Sequence, residues 1–221
     1  MPTCCARPPT ARPAFDGPEV PRQEPTGRLR AVTSSEQLFV SGLDVFSSVV
    51  DAVGVDDWNK PSACAGWTNL DVLGHLGSSV DMGIKLLSGE QPSFPDAATP
   101  GELVVGRPSD YWAGLALAAR AAVEGADLDL VMDTPMGKRT VRDRLAFPAM
   151  DLYIHAWDIG HGLGIDVVLP DDLIEFSHDY IDPFPKDMVR GENGAFGPEL
   201  DPPADATAAE RYLAWTGRAP R

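Results

Sequence analysis

Asp151 and His155 stand one helical turn apart in a segment whose apolar residues recur with a helical period. On a wheel of about 100° per residue with Asp151 at zero, His155 falls at about 40°, Arg144 at about 20° and Asp158 at about 340°. These four side chains form one polar row. Ile154, Phe147, Ile159, Leu152 and Leu145 lie on either side of it, so the row runs within an apolar surface. A carboxylate buried there costs several kcal/mol unless something compensates it. A divalent cation does so while accepting the neutral imidazole nitrogen. The same acid-x-x-x-His spacing also arises as a simple i, i+4 pair with no metal, so the metal reading needs a third ligand. Among the other histidines, His161 falls off the row and His178 lies in a polar segment. His75, in an earlier helical segment, is therefore the best third candidate. It lies off that segment's Leu73, Leu76, Val80, Ile84 stripe, on a side shared with Met82 and Leu86, which suggests a helix buried on two sides. Asp158 can either orient a ligand histidine or make a structural hydrogen bond. Arg144 could pair a substrate carboxylate, but an ion pair with Asp151 or Asp143 is the expectation.

The elements that must position these groups are helical. Ser34 with Gln37 fits a capping box, and Phe39, Leu43, Phe46, Val50 and Val53 recur at helical steps until Gly54. A second helix starts at Thr68, with Asp71 three residues on, and runs through Leu87 to Gly89. The proline-rich stretch 91–108 reads as a loop. Ser109 caps a third helix, with Trp112, Leu115, Ala116, Ala119 and Val123 on one face and Gly125 at its end. Pro135, Gly137 and Lys138 place a turn, as in a short hairpin, within 131–140. The fourth helix spans Val141 to Leu163, a shorter one runs from Pro170 to about Tyr180, and the stretch from Asn193 to Arg221 is loop followed by a helix over Thr207–Trp215. Four main helices with mixed connections give an all-α bundle with additional C-terminal helices.

Composition bounds the partners. Eighteen Lys and Arg against 33 Asp and Glu, a net charge of −15, repel a phosphate backbone or an anionic membrane surface. No apolar run reaches the 18 or more residues of a membrane span, and the N-terminus lacks a secretory signal's apolar region, so a cytoplasmic protein without nucleic-acid or membrane partners is expected. Three cysteines make no disulfide framework in a chain long enough to build its own core. The first 30 residues hold seven prolines, five arginines and three acids, hence net +2, which leaves −17 on the rest. With so few large apolar side chains that segment is expected to be a disordered tail, ahead of one domain over 31–221.

Three ordered stretches carry a resemblance. The run from Cys64 through Gly66-Trp67-Thr68 to His75, the run from Asp151 through His155 and Asp158 to Gly164, and the end from Phe196-Gly-Pro-Glu-Leu to Thr216-Gly-Arg-Ala-Pro220 resemble the mycothiol-dependent maleylpyruvate isomerase family, part of the DinB-like group of four-helix metalloenzymes. The resemblance implies a DinB-like bundle with a divalent metal, zinc by preference, held by His75, Asp151 and His155. It also implies mycothiol or a similar thiol as cofactor. Thiolate attack on a small electrophile then gives either S-transfer or cis/trans isomerisation. The isomerase has Glu where this chain has the shorter Asp151. The chain's length also leaves no room for the isomerase's additional C-terminal domain, so maleylpyruvate itself is not the expected substrate. Because the thiol nucleophile would be a cofactor, Cys64 is expected to pack and not to attack. A small-molecule binding or resistance protein of the same fold, or a metal-dependent hydrolase, is the alternative.

Overall fold

The structure, a computed structural model, describes residues 33–91, 97–134, 137–190 and 194–219. The N-terminal tail expected over residues 1–30 lies outside these. Helices α1 (Ser35–Ala52), α2 (Asn69–Leu87), α3 (Pro108–Glu124) and α4 (Val141–Leu163) form the bundle, with α4 packed on α1 and α2, and α3 closing the side against α2 and α1. Strands β1 (Val131–Thr134) and β2 (Gly137–Thr140) pair antiparallel, Val131 opposite Thr140, and lead directly into α4. Helices α5 (Asp171–Ile181), α6 (Lys186–Val189) and α7 (Ala208–Trp215) follow. Among the described residues no helix is long and apolar enough to cross a membrane.

Local chemistry sets the ends. Ser34/Gln37, Thr68/Asp71, Thr140/Asp143 and Thr207/Glu210 all form reciprocal capping boxes, and α4 stops where Gly164 turns left-handed. Two ends differ from the sequence reading. Helix α1 ends at Ala52, before Gly54. Helix α3 begins at Pro108 and not after Ser109: proline lacks the N–H that a first helical residue cannot use and its φ is already helical. The Arg107–Asp110 ion pair at 2.7 Å then spans the first turn. Proline at position 148, inside α4, removes one rung of the helical ladder. In the turn before it, the Ser35 hydroxyl donates to the Arg142 carbonyl and the Tyr180 hydroxyl to that of Asp143, tying this part of α4 to α1 and α5.

The core is continuous through Phe39, Leu43, Phe46, Leu73, Leu76, Val80, Leu145, Leu152 and Ile159, all with no exposure. The second side expected of α2 is buried at Leu86 and half-buried at His75 and Met82. On a different side of the helix a short 3-10 turn, Pro100–Leu103, inside the stretch read as loop, lies against Gly74. A Cβ on Gly74 would sit 1.9 Å from the Pro100 carbonyl oxygen, so this contact excludes any side chain. Gly74→Ala is expected to cost about 1–3 kcal/mol through overpacking. Gly114→Ala, on an open face of α3, should gain a fraction of a kcal/mol. Thermal denaturation checks both signs, at about 2–4 °C per kcal/mol.

Candidate metal centre

Each candidate ligand is placed by a capped helix. The Thr68 box starts α2 so that His75 comes two turns in, and the Thr140 box starts α4 with Asp151 and His155 near its middle. The loop before α2 is fastened to the same stretch of α4: the Ala63 N–H donates to the Asp158 backbone carbonyl at 3.0 Å, which seats Cys64 beside the Asp158 side chain.

The structure brings His75, Asp151 and His155 together, with one possible ligand atom from each lying within 4.8 Å of the others. The two imidazoles meet edge to face at 4.9 Å, and the Trp67 ring lies tilted beside His75 at 5.1 Å. His155 is buried, whereas His75 and Asp151 are half-buried, so the group is partly open to solvent. One Asp151 oxygen accepts the Ser79 hydroxyl at 2.9 Å. Ser79 follows His75 by one turn, and its role could not be read from periodicity, since a hydroxyl on a buried face carries no signal of which acid it meets.

The electrostatics favour neutral imidazole at His75. Burial, reinforced by repulsion from His155 and opposed by Asp151 and Asp158, lowers its pKa from the ordinary 6.5 to about 4. No ring nitrogen of His75 has a hydrogen-bond partner among the described residues; its contacts are the rings of Trp67 and His155. A neutral imidazole, its lone pair otherwise unused, beside a second imidazole and a carboxylate suits a zinc-type cation. The depressed value also has a consequence for the metal-free fold. Because the unfolded chain takes up the histidine proton first as pH falls, stability is lost between about pH 6.5 and 4. By pH 4.5 the loss is about 2–3 kcal/mol, and His75→Gln should lack this part of it, as urea midpoints at pH 7.5 and 4.5 will show.

Asp158 lies behind His155. Its Oδ2 accepts from His155 Nδ1 at 2.8 Å and from the Cys64 thiol at 3.0 Å, while Arg218 grips both oxygens, Nε to Oδ1 and Nη2 to Oδ2, each at 2.7 Å. Burial opposes its ionisation, but the Arg218 guanidinium and the hydrogen bonds from His155 and Arg218 outweigh burial and hold the carboxyl well below the usual carboxylate range. Cys64, His155 and Asp158 also lie within ligating distance of one another. That group suits a cation poorly, because a guanidinium already neutralises its carboxylate and occupies both oxygens.

The expectation for one charged residue is corrected. Arg144 pairs with neither Asp151 nor Asp143; its guanidinium contacts Met132 Sδ at 3.5 Å, and Asp143 caps α4 instead. Its side chain turns towards the hairpin, in keeping with the lean of helical side chains towards the N-terminus. As expected, His178, packed on Trp215 and near Asp182, and His161, tilted against Trp157, lie outside the group. Arg218 escaped the sequence reading.

The comparisons agree with this frame. Two solved structures, the mycothiol-dependent maleylpyruvate isomerase and a histidine-to-alanine variant of it, superpose with a TM-score of 0.53 at 16% and 15% identity, covering 64% of this chain. That likeness shows the DinB-like helical fold, and the chain spans 65% of the length of those structures. No curated protein matches the sequence. The family model described as the mycothiol maleylpyruvate isomerase N-terminal domain matches residues 41–160, which is more than half of the chain and includes His75, Asp151 and His155, and the chain therefore belongs to that family.

Proposed function

We propose that the protein is a thiol-dependent metalloenzyme that isomerises a small electrophilic alkene about its double bond. The observation that carries this reading is the convergence of two imidazoles and one carboxylate on a single half-open site, in a chain of this family. A divalent cation, with a low-molecular-weight thiol such as mycothiol, supplies a thiolate at neutral pH, the nucleophile that adds reversibly to a double bond conjugated to a carbonyl and lets it rotate.

The chain's own residues do the rest. His75 and His155 would each offer a ring nitrogen and Asp151 a carboxylate oxygen, a three-ligand set that would leave positions open for non-protein ligands. Ser79 holds one Asp151 oxygen, so this short acid has a fixed orientation. Trp67 flanks the ligand His75. Isomerisation needs no net proton transfer, which fits a site whose acid and imidazoles are committed to binding.

The test is zinc analysis of the purified protein followed by turnover of cis-configured unsaturated oxo-acids, maleylpyruvate among them, with and without mycothiol. Near-stoichiometric zinc with thiol-dependent cis-to-trans conversion supports the reading. Accumulation of a thioether points to S-transfer, thiol-independent hydrolysis to a metal hydrolase, and binding without turnover to a sequestering protein.

A further inference from the structure

The buried pair of Arg218 and Asp158 is more than the bundle's packing requires. Arg218 is 4% exposed and Asp158 is not exposed at all, and apolar side chains of similar volume generally serve a core as well as or better than a buried ion pair. The chain nevertheless builds a dedicated route for this arginine. Helix α7 ends in a Schellman turn: the Gly217 N–H bonds the Ala214 carbonyl, and the Arg218 N–H bonds that of Leu213 at 2.8 Å. Gly217 is left-handed at φ +85°, and a Cβ there would meet Gly197 at 2.9 Å, so the Thr-Gly-Arg sequence both stops the helix and turns Arg218 back into the bundle.

What the arginine reaches is the partner of a candidate ligand. Both Asp158 oxygens are held by Arg218, and an ionised carboxylate can only accept. His155 Nδ1 must therefore be the donor in the 2.8 Å bond to Asp158; in the neutral ring the lone pair is then on Nε2, at the opposite side of the ring. We propose that Asp158 and Arg218 are positioning residues: Arg218, delivered by the C-terminal turn, bonds both oxygens of Asp158, and that carboxylate fixes His155 as its Nδ1–H tautomer with Nε2 available to the group it forms with His75 and Asp151. The consequence for zinc rests on the metal reading above; the tautomer does not.

The tautomer is read in metal-free, ¹⁵N-labelled full-length protein by long-range imidazole ¹H–¹⁵N correlation, with His155 assigned by its loss in His155→Gln. The wild type should show the Nδ1–H form. In Asp158→Asn the amide oxygen faces Arg218 and its NH₂ faces the imidazole, so the ring should switch to the Nε2–H form, and zinc affinity by chelator competition should fall about 10- to 100-fold. Because removing one partner of a buried pair can unfold a protein, the double variant Asp158→Leu with Arg218→Met removes both charges and keeps the volume. It should fold, lose the fixed tautomer and show the same affinity loss. A folded double variant that keeps the Nδ1–H tautomer and full zinc affinity overturns the proposal and leaves the pair a structural one. A wild type with the Nδ1–H tautomer that switches in Asp158→Asn, but that binds no zinc, supports the positioning and overturns only the metal reading.

Discussion

Alanine at His75 or at His155 is expected to abolish stoichiometric zinc binding and turnover together, while alanine at His178 leaves both intact. A three-ligand protein site that loses one imidazole keeps a single imidazole and a carboxylate, and the loss must exceed the roughly 10- to 100-fold that removal of an outer partner costs. The two variants differ in how they affect the fold. His75 is half-buried with only ring contacts, so its removal frees no buried polar partner. His155→Ala takes one hydrogen bond from Asp158 but leaves that carboxylate to Arg218 and the Cys64 thiol, so the protein should stay folded at a cost of about 1–3 kcal/mol. His178, on Trp215 with the Asp182 carboxylate 3.3 Å from its Nδ1, is the control for a generic histidine effect. Elemental analysis and circular dichroism of the three variants decide the matter. Zinc retained in His75→Ala and His155→Ala would remove the basis of the metal reading; zinc lost only in His178→Ala would move the third ligand to α5.

The parts of this site that the sequence reveals are the local ones. Asp151, His155 and Asp158 share a face because four- and three-residue steps on a helix guarantee it, and α4 runs from Val141 to Leu163 because Thr140 and Asp143 cap one end and Gly164 the other. His75 follows from counting histidines against helical segments. Ser79 and Arg218 are not recoverable that way. Ser79 meets an acid 72 residues away and Arg218 one 60 residues away, and neither pairing leaves a periodic trace. A physical clue did exist for Arg218: a buried Asp158 demands a cation, and a Thr-Gly-Arg end places an arginine just past a helix stop. The expectation for Arg144 failed for a related reason. The wheel puts it in the ligand row, but two turns along the axis and a backward lean take its guanidinium to Met132 instead. The 3-10 turn at Pro100–Leu103 is hidden because Pro100 reads as a breaker in a proline-rich stretch, while its partner, Gly74, offers only an absence of side chain.

Omitting the small thiol is expected to reduce turnover to the uncatalysed background, whereas replacing Cys64 by alanine should change it by less than about twofold and lower the melting temperature by a few degrees. Cys64 is the one thiol close to the ligand group among the described residues, so it is the natural rival to an added cofactor. Its surroundings argue against that role. It is 1% exposed, its thiol is directed at the Asp158 carboxylate, and its backbone carbonyl and N–H are tied into the loop through Trp67 and Ser62. A nucleophile must be reached by the substrate and must shed its proton, and a thiol that donates to a buried carboxylate satisfies neither demand. The partly exposed members of the group are His75 and Asp151, which carry no thiol. Truncating Cys64 thus removes packing and one of the bonds received by Asp158, while His155 and Arg218 still hold that carboxylate. Parallel assays of the wild type and Cys64→Ala, each with and without mycothiol and each before and after chelation of zinc, separate the cases. Full turnover without added thiol that disappears in Cys64→Ala would make Cys64 the nucleophile and sink the cofactor-thiol reading; turnover lost on chelation or thiol omission but kept in Cys64→Ala is the result the geometry leads to.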